Sequence, residues 1–148
     1  MQDFSWESIW ASLEKEKVML EARINVNRKV LFDILNKNSV ERIFVYFDGS
    51  GDSGEINNVE ITPETADPLL EETAIGFFWP DWNGANIKDA DITIRDAIET
   101  ICYDYLRFKH PGWENNEGAS GHFDIKVKSE KIFLEFQERS ITTYSDEF

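Results

Sequence analysis

These 148 residues hold a single cysteine, Cys102, and two histidines. One cysteine closes no internal disulfide and anchors no structural zinc site by itself, so a reducing, cytoplasmic setting is the expectation. No apolar run approaches the ~20 residues a membrane-spanning helix needs. The residues after Met1 carry no basic-then-apolar secretory pattern. Positive charge is scarce as well: 15 Lys and Arg stand against 29 Asp and Glu, a formal net charge of −14. Phosphate contacts need Lys and Arg, so direct binding to nucleic acid or to an anionic membrane is not expected.

What is present suffices for a core. Hydrophobic residues make up 41% of the chain and aromatics 14%, which excludes an intrinsically disordered composition. Length and the absence of any linker predict one domain over residues 1–148.

From Ser5 to about Asn38 the apolar residues Trp6, Ile9, Trp10, Leu13, Leu20, Ile24, Leu31, Ile34 and Leu35 keep a helical stripe. Lys17 and Asn27 interrupt it, and the poor helix formers Asn25-Val26-Asn27 predict a bend there. Asn36 to Ser39 supplies a stop. Ile43 to Phe47 is apolar on both faces and reads as a central strand covered, at least in part, on both sides. After a glycine-rich loop, Glu55 to Ile61 reads as a second strand. Pro63 to Glu72 reads as acidic loop or short helix, and Phe77 to Gly84 as an aromatic loop broken by Pro80 and Gly84. A second helix is predicted from about Asp91 to Lys109, ended by His110-Pro111-Gly112. Phe123, Ile125 and Val127 alternate with polar residues as a half-exposed strand. A turn at Ser129-Glu130 leads into the strand Ile132 to Phe136. The order α-β-β-α-β-β predicts an α+β fold, a four-stranded antiparallel sheet with two helices largely on one face.

The loop Asp48 to Gly54 resembles three chemistries, and the residues around it argue against each. Gly49, Gly51 and Gly54 fit G-x-G-x-x-G, but a strand follows where a dinucleotide site needs a helix N-terminus. Gly51-Asp52-Ser53-Gly54 resembles the tetrapeptide around the nucleophile of trypsin-like serine proteases, yet Glu55-Ile56 replaces the Gly-Pro that follows there. A triad is also defined by geometry rather than by four letters. Asp48, Ser50 and Asp52 alternate like the first ligands of an EF-hand, but Ser53 holds the glycine position and Val59 the final carboxylate position. The loop therefore reads as a hairpin whose Asp and Ser side chains hold its own backbone. A looser Ca²⁺ or Mg²⁺ site on Asp48, Asp52 and Glu55 is the metal alternative.

The second loop, His110 to His122, is dense in capping and turn residues. Trp113 reads as an anchor pinning it to the core. Its two histidines and two carboxylates are the alternative donors for a transition metal. Phe47 to Gly54 (FDGSGDSG), the helix before Tyr103-Asp104, HPGWENNEGASG and the strand Phe133 to Glu138 together resemble a family of small uncharacterised bacterial proteins, a domain of unknown function. The resemblance leaves the first helix largely outside. It implies a bacterial, plasmid or phage source and brings no catalytic residue.

Between Arg42 and Lys88 there is no Lys or Arg, while Asp48, Asp52, Glu55, Glu60, Glu64, Asp67, Glu71, Glu72 and Asp81 all fall there. Such a stretch is either a solvated acidic surface or a face for a basic partner. Phe77, Phe78, Trp79 and Trp82 lie within it, as core over the sheet or as an interface cluster. The functional expectation is a non-enzymatic acidic binding or inhibitory protein. It would engage a basic, nucleic-acid-handling protein through Glu64, Asp67, Glu71, Glu72, Trp79 and Trp82. The alternative is a divalent-metal module or metal-dependent enzyme built on the two loops.

Overall fold

A computed structural model describes residues 6–50, 53–72, 74–80, 87–114 and 118–148. Helix α1 (Trp6–Lys37) leads into strands β1 (Arg42–Ser50) and β2 (Ser53–Thr62). A 3-10 turn (Glu64–Ala66) and the short helix α2 (Leu69–Glu72) follow. Strands β3 (Ala74–Pro80) and β4 (Ile87–Thr93) precede helix α3 (Ile94–Lys109), and β5 (Ala119–Lys126) and β6 (Lys131–Glu138) complete the fold. Four strands form an antiparallel sheet in the order β2-β1-β5-β6, and β3 and β4 form a separate hairpin. The α+β class and the four-stranded sheet are as the sequence predicts.

Strand periodicity explains the sheet. In β1, Ile43, Val45 and Phe47 are buried, and alternate residues face the other way. Ile43 lies opposite Ile61 on one side and Ile125 on the other, and Val45 opposite Val59 and Phe123. The register then shifts: Tyr46 pairs with Asn58 but Phe47 with Ile56, leaving Asn57 as an extra residue. This bulge keeps Ile56 on the same face as Phe47. On the far side, β6 is an edge strand whose Ile132, Leu134 and Phe136 are only half-buried against the core.

Helices α1 and α3 run antiparallel. The Lys17 ammonium sits over the Phe108 ring, and one and a half turns on Arg23 pairs with Asp104 at 2.9 Å. Ile98, Ile101 and Leu106 of α3 are fully buried with Leu31, Phe32 and Leu35 of α1. Ser39 ends α1 in the left-handed region. Its N–H donates to the Asn36 carbonyl and the Val40 N–H to the Leu35 carbonyl, a Schellman pattern, with Val40 buried behind it. At the start of α3, the Thr93 hydroxyl accepts from the Asp96 N–H.

Four expectations need correction. The bend at Asn25 to Asn27 does not form, and α1 is continuous. Asn27 is fully buried within α1, so tertiary packing outweighs its low helix propensity. The aromatic segment is strand β3 up to Pro80, because Phe77-Phe78-Trp79 has the composition of a strand and Pro80 ends it. Asp91 to Thr93 belong to β4, so α3 starts at Ile94. Leu13 is 51% exposed although it lies on the apolar stripe, which therefore runs past the part of α1 that the core covers. Trp82 lies outside the described residues, and so do the side chains of Trp6, Ile9 and Trp10.

Candidate functional site

The two glycine-rich loops meet at one end of the sheet. Trp113, in the turn after α3, lies edge-on to Phe47 at 5.4 Å between ring centres. Its indole fills the space above Gly49 and Gly54, where a Cβ would come within 2.6 and 2.4 Å of the ring. Phe136 stacks on Phe47, and His110 stacks flat on Phe136 at 3.7 Å. Arg139, just past β6, closes this end. Its guanidinium donates to the Asp48 carboxylate at 2.7 Å and to the Gly49 carbonyl at 3.0 Å, and its N–H to the Gly118 carbonyl. Trp113 is thus the anchor its loop predicts.

This arrangement bears on the metal expectation. Asp48 is opposite Glu55 in the hairpin, but its carboxylate is held by Arg139. Asp52 lies outside the described residues. The histidines are not brought together: His110 packs on Phe136, which faces the core side, whereas His122 faces the opposite side beside Glu135. Among the described residues no group of three or more His, Cys, Asp or Glu has metal-binding geometry.

The acidic stretch divides into paired and unpaired carboxylates. Asp48 pairs with Arg139, and Glu71 with Arg95 of α3. Among the described residues no cation reaches Glu55, Glu60, Glu64 or Asp67, all exposed. These four follow β2, an edge strand, and the turn after it. That edge is partly closed by α3, where the Tyr103 hydroxyl accepts from the Ile56 N–H at 2.8 Å. The Glu72 and Trp79 side chains lie outside the described ones. The Trp79 backbone pairs with Lys88 in the hairpin.

Sequence reading missed one surface. The sheet face turned away from the buried residues carries Phe44 and Tyr46 of β1, His122 of β5 and Phe133 of β6, half-buried to exposed. The rings of Phe44, Tyr46 and His122 lie 5.8–6.3 Å apart. Arg42 stacks on Phe44 at 4.5 Å and donates to both Asp124 oxygens at 2.8 and 2.6 Å. These hydrogen bonds hold the Asp124 carboxyl below the usual range. Partial burial and the Glu60 carboxylate push the Tyr46 phenol up. The alternation in Ile43 to Phe47 carries the signal for this face, but an all-apolar strand reads as covered on both sides.

The model of a family of unknown function, DUF6878, matches residues 23–148. The chain belongs to the DUF6878 family. No curated protein and no solved structure matches it. The DUF6878 match takes in the four-stranded sheet, both glycine-rich loops and the acidic stretch, and it starts within α1 just at the Arg23–Asp104 pair. No helix among the described residues is long and apolar enough to cross a membrane.

Proposed function

We propose that this DUF6878 protein is a non-enzymatic acidic binding protein, inhibitory in effect, that engages a basic, nucleic-acid-handling protein. The observation that carries this reading is the separation of its carboxylates. Asp48, Glu71 and Asp124 are matched by arginines of the fold, while Glu55, Glu60, Glu64 and Asp67 stand exposed along one edge with no cation among the described residues. Charges that the fold does not neutralise focus a negative field, which attracts a basic surface and speeds its association. Glu72, Trp79 and Trp82 belong to the same sequence stretch and complete the proposed surface.

The chain's one thiol is not a candidate nucleophile. Cys102 is fully buried and burial pushes its thiol well up, so it offers no thiolate for attack. A lone buried cysteine also fits a cytoplasmic setting. The bacterial or phage context of the proposal rests on the loop resemblance.

Affinity capture from the native host tests the reading. Wild-type protein is expected to retain a basic protein that the Glu64→Lys/Asp67→Lys variant releases. Equal retention by both would overturn it.

A further inference from the structure

The open face of the sheet already contains one worked example of how it holds a cation. Arg42 lies with its guanidinium 4.5 Å from the centre of the Phe44 ring, and the same guanidinium makes a two-pronged hydrogen bond to Asp124. Ring face and carboxylate together complement a flat cation: the ring quadrupole attracts the charge and the carboxylate fixes its plane. Lys126 does the simpler version, its ammonium 5.1 Å from the Phe133 ring. Two of the rings on this face are therefore occupied by the protein's own cations.

Tyr46 is the next ring along, nearly parallel to Phe44 at 20° and 6.3 Å away. It also has a carboxylate. Glu60 on β2 accepts from the Tyr46 hydroxyl at 3.4 Å through one oxygen and from the Asn58 amide at 3.3 Å through the other. These bonds orient the carboxylate, and a phenol donating to an anion has a more electron-rich ring. Yet among the described residues no cation stacks on Tyr46 and none pairs with Glu60. Arg42 is committed to Asp124. The neighbouring His122 ring is 5.8 Å off and sits beside Glu135.

We infer that Tyr46 and Glu60 form a seat for an arginine or lysine side chain of a basic protein segment, a counterpart of the Phe44–Asp124 seat that Arg42 fills. The inference rests on the basic-partner reading above and adds the side chain recognised and the place where it docks. It is supported by charge: the β2 edge beside Tyr46 carries Glu55 and Glu60, and no Lys or Arg occurs from residue 43 to 87. The segment that fits lies across β1 and β2 with its basic side chain on the Tyr46 ring.

The test uses the full chain and an uncapped choice of two probes, a Gly-Arg repeat peptide and its Gly-Lys counterpart, titrated at low salt. The arginine peptide is expected to shift the Tyr46 ring and Glu60 carboxylate NMR signals saturably. Tyr46→Leu should weaken binding about three- to fivefold, Tyr46→Phe should retain most of it, and Glu60→Gln should weaken it similarly. Lysine in place of arginine should bind less tightly, because it lacks the planar fork. If Tyr46→Leu does not fold, the wild-type shift map and Glu60→Gln decide. Affinity that is unchanged in Tyr46→Leu and Glu60→Gln but falls in Glu64→Lys/Asp67→Lys would overturn the seat and leave the acidic-surface reading standing. Absence of binding by either peptide would overturn both.

Discussion

The indole of Trp113 occupies the space in which Gly54 would carry a side chain, with a Cβ there 2.4 Å from the ring. Trp113 comes from the loop after α3 and Gly54 from the β1–β2 hairpin, so one contact ties the two glycine-rich loops together. Gly54→Ala is therefore expected to lower stability by about 1–3 kcal/mol through overpacking. The same substitution in a Trp113→Ala background should cost much less, because the obstructing ring is gone. Denaturant unfolding of the four proteins of this cycle measures the coupling, and additive costs would show that the glycine is not required for the ring.

Burial separates two core substitutions that look alike in sequence. Ile98 in α3 is fully buried, whereas Leu134 on the edge strand β6 is half-buried. Ile98→Ala should cost about 2–5 kcal/mol, and Leu134→Ala distinctly less, since it leaves a smaller cavity and loses less buried area. Urea midpoints at constant slope check the order.

The Arg23–Asp104 pair between α1 and α3 sets a pH dependence. Burial raises the Asp104 carboxyl to about 6, against the downward pull of Arg23 and Arg107. A carboxyl raised in the folded state binds its proton more tightly there than in the unfolded chain. The stability it contributes is present below about pH 4, near the unfolded value, and is lost as pH rises through about 6. Carboxyl-carbon NMR titration should find Asp104 well above the other aspartates. Arg23→Met should move it higher still, because the nearer cation is removed. A lower value in that variant would contradict the Arg23–Asp104 pairing.

Much of this fold is legible in the sequence because its signals are local. The α1 stop at Ser39, the turn at Ser129-Glu130 and the alternation in β5 all follow from residue type and spacing. The continuity of α1 through Asn27 is not local, since it depends on the tertiary packing that buries Asn27. Strand β3 was hidden because an aromatic run beside Pro80 scores equally as a loop or as a strand, and its pairing with β4 decides. The acidic stretch is plain in the sequence, but which of its carboxylates the fold neutralises is not. Arg95 and Arg139 are remote in sequence from Glu71 and Asp48 and meet them only in the folded chain. Tyr46 and Glu60 share a face through strand register, which composition does not record.

Trp79 tests the aromatic part of the proposed surface. With a captured partner in hand, Trp79→Ala should raise the dissociation rate more than it changes the association rate, as loss of a desolvated anchor does. Circular dichroism must first show a folded variant, because Trp79 lies within β3. An unchanged dissociation rate in a folded variant would remove this residue from the interface.

The central claim is that the unpaired carboxylates along the β2 edge and the turn after it draw in a basic partner. Its most direct test is the association rate constant of the captured partner, measured against salt for wild type and Glu64→Lys/Asp67→Lys. Glu71 is left intact, since it pairs with Arg95 and its reversal would disturb the fold. The account predicts fast association at low salt that slows steeply as the Debye length falls to about 10 Å and below, and a slower, flatter dependence in the variant. Identical rates and identical salt slopes in the two proteins would contradict it.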